Sequence, residues 1–320
     1  MKYKVAIKLG DSYSKDRRGY LASARIRGHW LAKYWPECDD FFYPEEFPEY
    51  KGDFFNPVNQ FHILEKYDVV ILNKTYEWKL AKALHFRGIK IIVDFCDPDF
   101  LLSHSSEQRV NDCLETLKYA DLVVVNGKTL KKYLKKFYKG RIEIVPDRID
   151  LDSIKKQKTE HNESFDKIVW YGYNENLRIL EPYLKRIIEM GLEITIISDK
   201  FFENFIMVGC KYDPKKRITF KVFHPELFNE QVIEHDAVFI GEDKDKYLSK
   251  FKSPNRALNA WAMKMPVAFN LKDLKFFNDK KMRVWDANEG YKFVKKYADI
   301  RQSVKEYVII VQGLLNRRCI

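Results

Sequence analysis

Short apolar runs recur along this chain, each closed by a polar break and most followed by a stretch of helical period. Residues 3–9 alternate enough for a first strand, while 68–72 (DVVIL), 89–95 (IKIIVDF) and 121–126 (DLVVVN) are apolar over most of their length. Such unbroken apolarity marks strands covered on both faces, the condition of a parallel sheet between helices. Helices are predicted over 21–34, 77–86 and 129–137, the last with Leu130, Tyr133, Leu134 and Phe137 inward and lysines outward. RIEIVPDRID, 141–150, then gives a strand, a proline and a turn. The alternation returns beyond 164 with strands at 167–171 (KIVWY), 192–198 (LEITIIS) and 237–240 (AVFI), and an edge strand or loop at 217–223. Further helices open near Asn176 and near 253–255, and 266–269 (PVAF) is a last short strand. Strands alternating with helices of about a dozen residues predict right-handed β-α-β units and an α/β chain. Residues 36–57, acidic, aromatic and proline-rich without a clean period, read as an irregular excursion, and 288–318 as mostly helical with an apolar stripe that needs a partner.

Length turns this pattern into two halves, since 320 residues can bury two cores of about 150 residues each. The polar run KKQKTEHNES from Lys155 separates them. The predicted division is 1–150, a linker over 151–163, a second α/β domain over 164–287 and a C-terminal helical segment over 288–320. Hydrophobic residues at 46% and charged ones at 32% exclude a disordered chain. No run of about 18 apolar residues spans a bilayer, and MKYKVAIKLG does not read as a signal peptide. Cys38, Cys96, Cys113, Cys210 and Cys319 are scattered, without a Cys-x-x-Cys pair or a Cys/His cluster. They point to a reducing compartment, so cytoplasm is the expected location, and away from structural zinc. The net charge of +11 suits polyanionic company, whether nucleotide phosphates, anionic lipid or nucleic acid, or else reflects a lysine-rich composition. The lysine face of 129–137 rests on water, or on an anionic membrane that would make the protein peripheral there.

Candidate chemistry gathers where strands stop. The stretch 236–269 runs from a buried strand through a charged loop into a helix opened by Ser253, Pro254 and Asn255. Proline suits a first turn because its missing N–H would have no partner there. Free backbone N–H groups, the positive end of the helix dipole and the charges of Lys252 and Arg256 then meet in one place, which wants an anion, most simply a phosphate. A merely solvated helix start is the alternative. The strand 167–171 stops at Gly172 before a polar loop with Asn174 and a helix with Arg178, the same phosphate-cradling layout. In the first half a basic loop carrying Arg17, Arg18 and Gly19 follows the first strand, and Ser23, Arg25 and Arg27 sit near the next helix start, toward ligand or toward solvent. Asp94, Asp97 and Asp99, with His104 close behind, end the strand 89–95. They could serve as a general base, contact an acceptor, ligate a divalent cation, or cap a turn around Pro98.

The run KSPNRALNAWAMKMPVAF, 252–269, resembles the nucleotide-binding segment of GT-B glycosyltransferases of the retaining, group-1 type, in which a loop and helix hold the donor diphosphate and end in small residues, Pro-Val and a strand. SARIRGHWLAKYW (23–35), YADLVVVNGKTLKKYL (119–134), RIEIVPDRID (141–150) and IVWYGYNENLRIL (168–180) resemble segments of the same family in the same order. The resemblance implies two Rossmann-like domains facing a cleft, with a last helix crossing back to the first domain. It implies transfer of a sugar from a nucleotide-sugar co-substrate, without metal or other cofactor, to a glycan, a lipid-linked glycan or a nucleic acid. Together with the strand-end geometry it assigns the donor to Gly172, Asn174, Arg178, Glu242, Lys252, Ser253, Pro254, Asn255, Arg256 and Asn259. Ser23, Arg25, Arg27 and Asp99 fall on the acceptor side, and Asp94, Asp97 and Arg256 are the catalytic candidates.

Three positions depart from the family pattern. Tyr173 stands where an arginine follows the glycine, leaving Arg178 as the second cation. Phe251 and Asn259 stand where two glutamates flank the loop, with Glu242 and Asp243 as partial substitutes. Asparagine still hydrogen-bonds a ribose hydroxyl, but the stereochemical outcome is left open. Two other functions fit the same residues. One is a viral-type glycosyltransferase acting on modified bases of DNA, marked by a continuous Lys/Arg face and a steep salt dependence. The other is a non-catalytic nucleotide-sugar or nucleic-acid binding module in which the three departures record lost activity.

Overall fold

The computed structural model describes residues 3–9, 22–41, 56–199, 217–243 and 249–316. The basic loop with Arg17, Arg18 and Gly19 lies outside them. The chain forms two compact units. One holds the described residues of Met1–Arg148, Tyr247–Ser253 and Ile300–Ile320; the other holds those of Ile149–Lys246 and Pro254–Asp299.

The first unit is built on a parallel sheet of β1 (Val5–Leu9), β2 (Cys38–Phe41), β3 (Val69–Asn73), β4 (Lys90–Phe95), β5 (Leu122–Val125) and β6 (Ile142–Ile144), in the order β2-β1-β3-β4-β5-β6. Ile7 pairs with Ile71, Ile71 with Ile92, and Val93 with Val123, so branched apolar side chains stand in rows across the sheet. β1, β3 and β5 are buried along their whole length, and each of their Val, Leu and Ile side chains contributes about 1.5–3 kcal/mol by leaving water. The strand order reverses beside β1, which opens a crevice at the carboxyl ends of β1 and β3. The segment 36–57, expected to be irregular, contains β2, and Pro57 opens the helix Pro57–Leu64 with Asn56 capping Val58 at 3.0 Å. β2 reads CDDF because it is an edge strand and carries polar positions that an interior strand could not. The predicted helix 21–34 is interrupted by a π-helical turn, Arg25–His29, between Ala22–Ala24 and Trp30–Tyr34. The helix Glu107–Leu117, capped by Ser106, is an addition to the predicted set.

The second unit carries β7 (Lys167–Tyr171), β8 (Glu193–Ser198), β9 (Ile218–Val222), β10 (Ala237–Phe239) and β11 (Val267–Ala268), again all parallel, in the order β11-β10-β7-β8-β9. Residues 217–223, open between strand and loop in the sequence, form the edge strand β9. Alternation sorts β7 onto two cores. Ile168 and Trp170 join Leu180, Leu184 and Ile196 on one face, and Val169 and Tyr171 join Ile197, Val238 and Met263 on the other. The helical tail is two helices, Lys280–Tyr297 in the second unit and Ile300–Leu315 in the first. The stretch around Lys158 belongs to the second unit, where the Lys158 N–H donates to Met263 O at 2.8 Å.

Candidate functional site

In the second unit the expected donor residues sit at the carboxyl edge of the sheet. β7 ends in Tyr171 and Gly172, and the chain turns through a short 3₁₀ stretch, Asn174–Asn176, into the helix Leu177–Glu189. A Cβ on Gly172 would lie 3.0 Å from the Trp170 ring and 3.7 Å from Arg256 Nη1, so glycine lets the backbone pass close over both groups. Arg256, in the first turn of the helix Asn255–Ala262, is half-buried, with its guanidinium 5.7 Å from the Trp170 ring centre and Nη1 donating to Ile240 O at 3.4 Å. Tyr171 Oη donates to Arg256 O at 2.7 Å and pins the same turn. Burial lowers the Arg256 pKa, against the pull of Tyr171 and Asp243; a guanidinium stays charged at neutral pH regardless.

The loop after β10 faces this turn. Gly241 has φ +75°, a left-handed conformation that suits glycine, and Glu242 and Asp243 follow. Arg178, expected as a free cation for phosphate, is instead forked onto Asp243, with Nη1 to Oδ1 and Nη2 to Oδ2 both at 3.0 Å. An anionic ligand would have to compete with that carboxylate. Glu242 accepts from Asn270 Nδ2 at 3.3 Å, and the Asn174 N–H donates to Asp199 Oδ1 at 2.8 Å. Asn259 spends its amide on Asn255 O, one turn back, at 2.8 Å. Pro254 stands at the N-cap, not inside the first turn. Lys252 and Ser253 fall in the first unit and Pro254, Asn255 and Arg256 in the second, so the expected cluster is divided along the chain. Phe251 is buried in the core of the first unit, which explains an apolar residue where the family pattern has a glutamate.

The first-unit candidates are more deeply built in than their sequence suggests. Arg27 is 2% exposed and Asp94 is fully buried. Arg27 Nε donates to both Asp94 oxygens at 2.9 Å, Nη1 donates to Asp147 Oδ1 at 2.6 Å and to Val145 O at 3.0 Å, and Nη2 donates to Tyr307 Oη at 3.1 Å. Tyr307 Oη in turn donates to Asp94 Oδ2 at 2.7 Å. Burial opposes the charge on Arg27, yet Asp94 and Asp147 hold its pKa above the ordinary value. Asp94, expected as catalytic, is therefore an interior partner of Arg27, and Arg27, expected on the acceptor side, is closed off as well. Arg25 lies over the Trp30 ring at 5.4 Å and Ser23 is half-buried.

Asp97 and Asp99 have cations of their own. Asp97 pairs with Lys74 at 2.7 Å, and Asp99 accepts from Tyr76 at 2.7 Å and from Arg109 at 3.1 Å. Asp94, Asp97 and Asp99 thus face three different cations, and among the described residues no group of His, Cys, Asp and Glu gathers as a metal site. Two residues at this edge were not anticipated. Lys74 has φ +53°, and Lys8, buried at the end of β1, reaches Thr75 at 3.2 Å and Glu77. A lysine inside an otherwise apolar strand was the available signal for Lys8.

No protein-family model and no curated protein matches the sequence. Solved structures do match. HepE of Anabaena, crystallised with UDP and glucose, superposes with a TM-score of 0.71 over 97% of this chain and 100% of its own, at 11% identity. A glycosyltransferase of Rickettsia africae gives 0.66 over 98% and 99%, also at 11%. A trehalose-phosphate synthase of Burkholderia xenovorans, in complex with glucose-6-phosphate, gives 0.62 over 97% and 100% at 8%. At such identities the likeness is one of fold. Among the described residues no helix is long and apolar enough to cross a membrane.

Proposed function

We propose that this chain, which has the fold of the GT-B glycosyltransferases, transfers a sugar from a nucleotide-sugar donor. The observation that carries the reading is Arg256, held in the first turn of Asn255–Ala262 by Trp170, Tyr171 and Ile240, directly beside Gly172. As a glycosidic bond to a diphosphate breaks, negative charge grows on the leaving phosphate. A fixed guanidinium and the positive end of a helix stabilise that charge without reorganising. The positive charge comes from the protein, so the reading includes independence from metal. HepE holds UDP and glucose in the same fold, which makes a UDP-sugar the first donor to try.

Calorimetry with UDP in the presence of EDTA tests the site. Arg256→Ala should weaken binding by about 1.5–3 kcal/mol, the worth of a hydrogen bond to a charged group. Equal affinity in the two proteins would move the diphosphate elsewhere. Transfer or hydrolysis of the UDP-sugar under the same conditions separates an enzyme from a binding module.

A further inference from the structure

The second unit has a cavity of about 430 Å³ apart from the residues just described. Lys158, the exposed Glu160, His161 and Lys264 line it together with Lys280 and Asn288 of the helix Lys280–Tyr297. The cavity lies at the amino edge of the second sheet. Asp236, just before β10, accepts from Asn162 Nδ2 at 2.8 Å and from the N–H groups of Asp166 and Lys167, just before β7, at 2.9 Å. Gly172 and Glu242 lie past the opposite ends of the same strands, and the five residues of β7 put roughly 16 Å between the two edges at 3.3 Å per residue.

The walls are fixed from behind. Gln157 Nε2 donates to Ala262 O at 3.1 Å, and the fully buried Arg283 donates to the carbonyls of Asn162, Glu163 and Ser164. Lys264 has φ +56°, a left-handed conformation that lysine rarely adopts, and its ammonium lies 5.0 Å from the Tyr291 ring centre. Lys158 Nζ meets a carbonyl, Ile233 O, at 2.9 Å. Lys280 pairs with Glu163, whose side chain is 86% exposed, and so exposed a pair is weak and easily exchanged.

We infer that this cavity is a second anion site, taking a small phosphorylated ligand whose phosphate is held by Lys158, Lys264 and Lys280 and hydrogen-bonded by His161. Its volume falls among small-molecule pockets, roughly 300–1,000 Å³. His161 Nδ1 is buried without a hydrogen-bond partner among the described residues. Burial first, then Lys158, Arg283 and Lys280, against Asp236, hold its pKa at about 4; Glu160 and Lys264 are the other charged residues lining the cavity. The imidazole is therefore neutral at pH 7, and an entering phosphate would favour its protonated form.

Inorganic pyrophosphate is the probe, titrated into the full chain carrying Arg256→Ala so that the donor-site cation is gone. Carbon-13 histidine spectra, assigned with His161→Gln, follow the imidazole. The pKa of His161 should rise by about one unit or more, as an opposite charge within about 4–6 Å requires, and the response should saturate. Lys264→Gly keeps the left-handed backbone in a residue that adopts it freely. Combined with Lys280→Ala it should weaken pyrophosphate at least tenfold. An unmoved pKa at about 10 mM pyrophosphate, an equal shift with chloride at matched ionic strength, or unchanged affinity in the lysine double variant each overturns the assignment. So does a response that wild type shows and Arg256→Ala lacks, since that places the ligand at the donor site.

Discussion

Arg27 surrenders its mobility to Asp94, Asp147 and Tyr307, and its removal leaves two buried carboxylates without their cation. Arg27→Met should lower stability by about 3–5 kcal/mol, the penalty for breaking a buried pair on one side. Tyr307→Phe deletes one donor to Asp94 and should lower it by about 1–2 kcal/mol. Urea unfolding of the two variants checks the order. Asp99 adds a pH dependence. Burial would raise its pKa, but Arg109, Lys74 and Tyr76 more than offset that and hold it below the ordinary value. A depressed carboxylate stabilises the fold above its unfolded pKa of about 3.9 and loses that contribution as pH falls through the folded value. Arg109→Ala should therefore shift acid unfolding to higher pH, read by circular dichroism. Arg256 was legible because a helix start announces itself locally. Arg27 was not, because its partners stand 67, 120 and 280 residues away along the chain. Trp170 was hidden for a related reason, since a tryptophan inside a buried strand looks like core until a guanidinium is placed over it.

Gly290 is where two helices of the second unit meet. A Cβ there would lie 2.1 Å from Cδ1 of Trp261, which projects from Asn255–Ala262 onto the helix Lys280–Tyr297 with its Nε1 donating to Asp286 at 3.1 Å. Gly290→Ala should cost about 1–3 kcal/mol through overpacking, seen as a lower midpoint in thermal unfolding; an unchanged midpoint would mean the ring swings aside freely. At this scale the strands other than β2 and β9 were readable, because solid apolar runs have few other uses. β2 was missed because edge pairing tolerates Asp39 and Asp40, which erase the pattern that identifies an inner strand. Glu107–Leu117 offered a signal that could have been read, with Ser106 as cap and Val110, Cys113 and Leu117 at helical spacing. The π-helical turn at Arg25–His29 left no such mark, since its extra residue per turn shows only in the backbone.

The whole molecule is two compact units threaded by one chain, and the helical tail, expected as one segment over 288–320, divides between them after Asp299. Ile300–Leu315 supplies Tyr307 to Asp94, and Ser303 and Glu306 to Arg148 at 2.7–2.8 Å, all within the first unit. Calorimetry should therefore resolve the units. UDP should raise the transition of the second unit, and truncation after Asp299 should lower that of the first, by mass action in one case and lost buried partners in the other. A single transition moving equally under both treatments would contradict that division. The threading also sets a timetable for biosynthesis. Arg148 leaves the ribosome 158 residues before Glu306, or about 8–32 s earlier at ordinary elongation rates. For that interval Asp94 and Arg148 wait for a helix not yet made, so the nascent first unit is most open to proteases and chaperones just when most of it already exists.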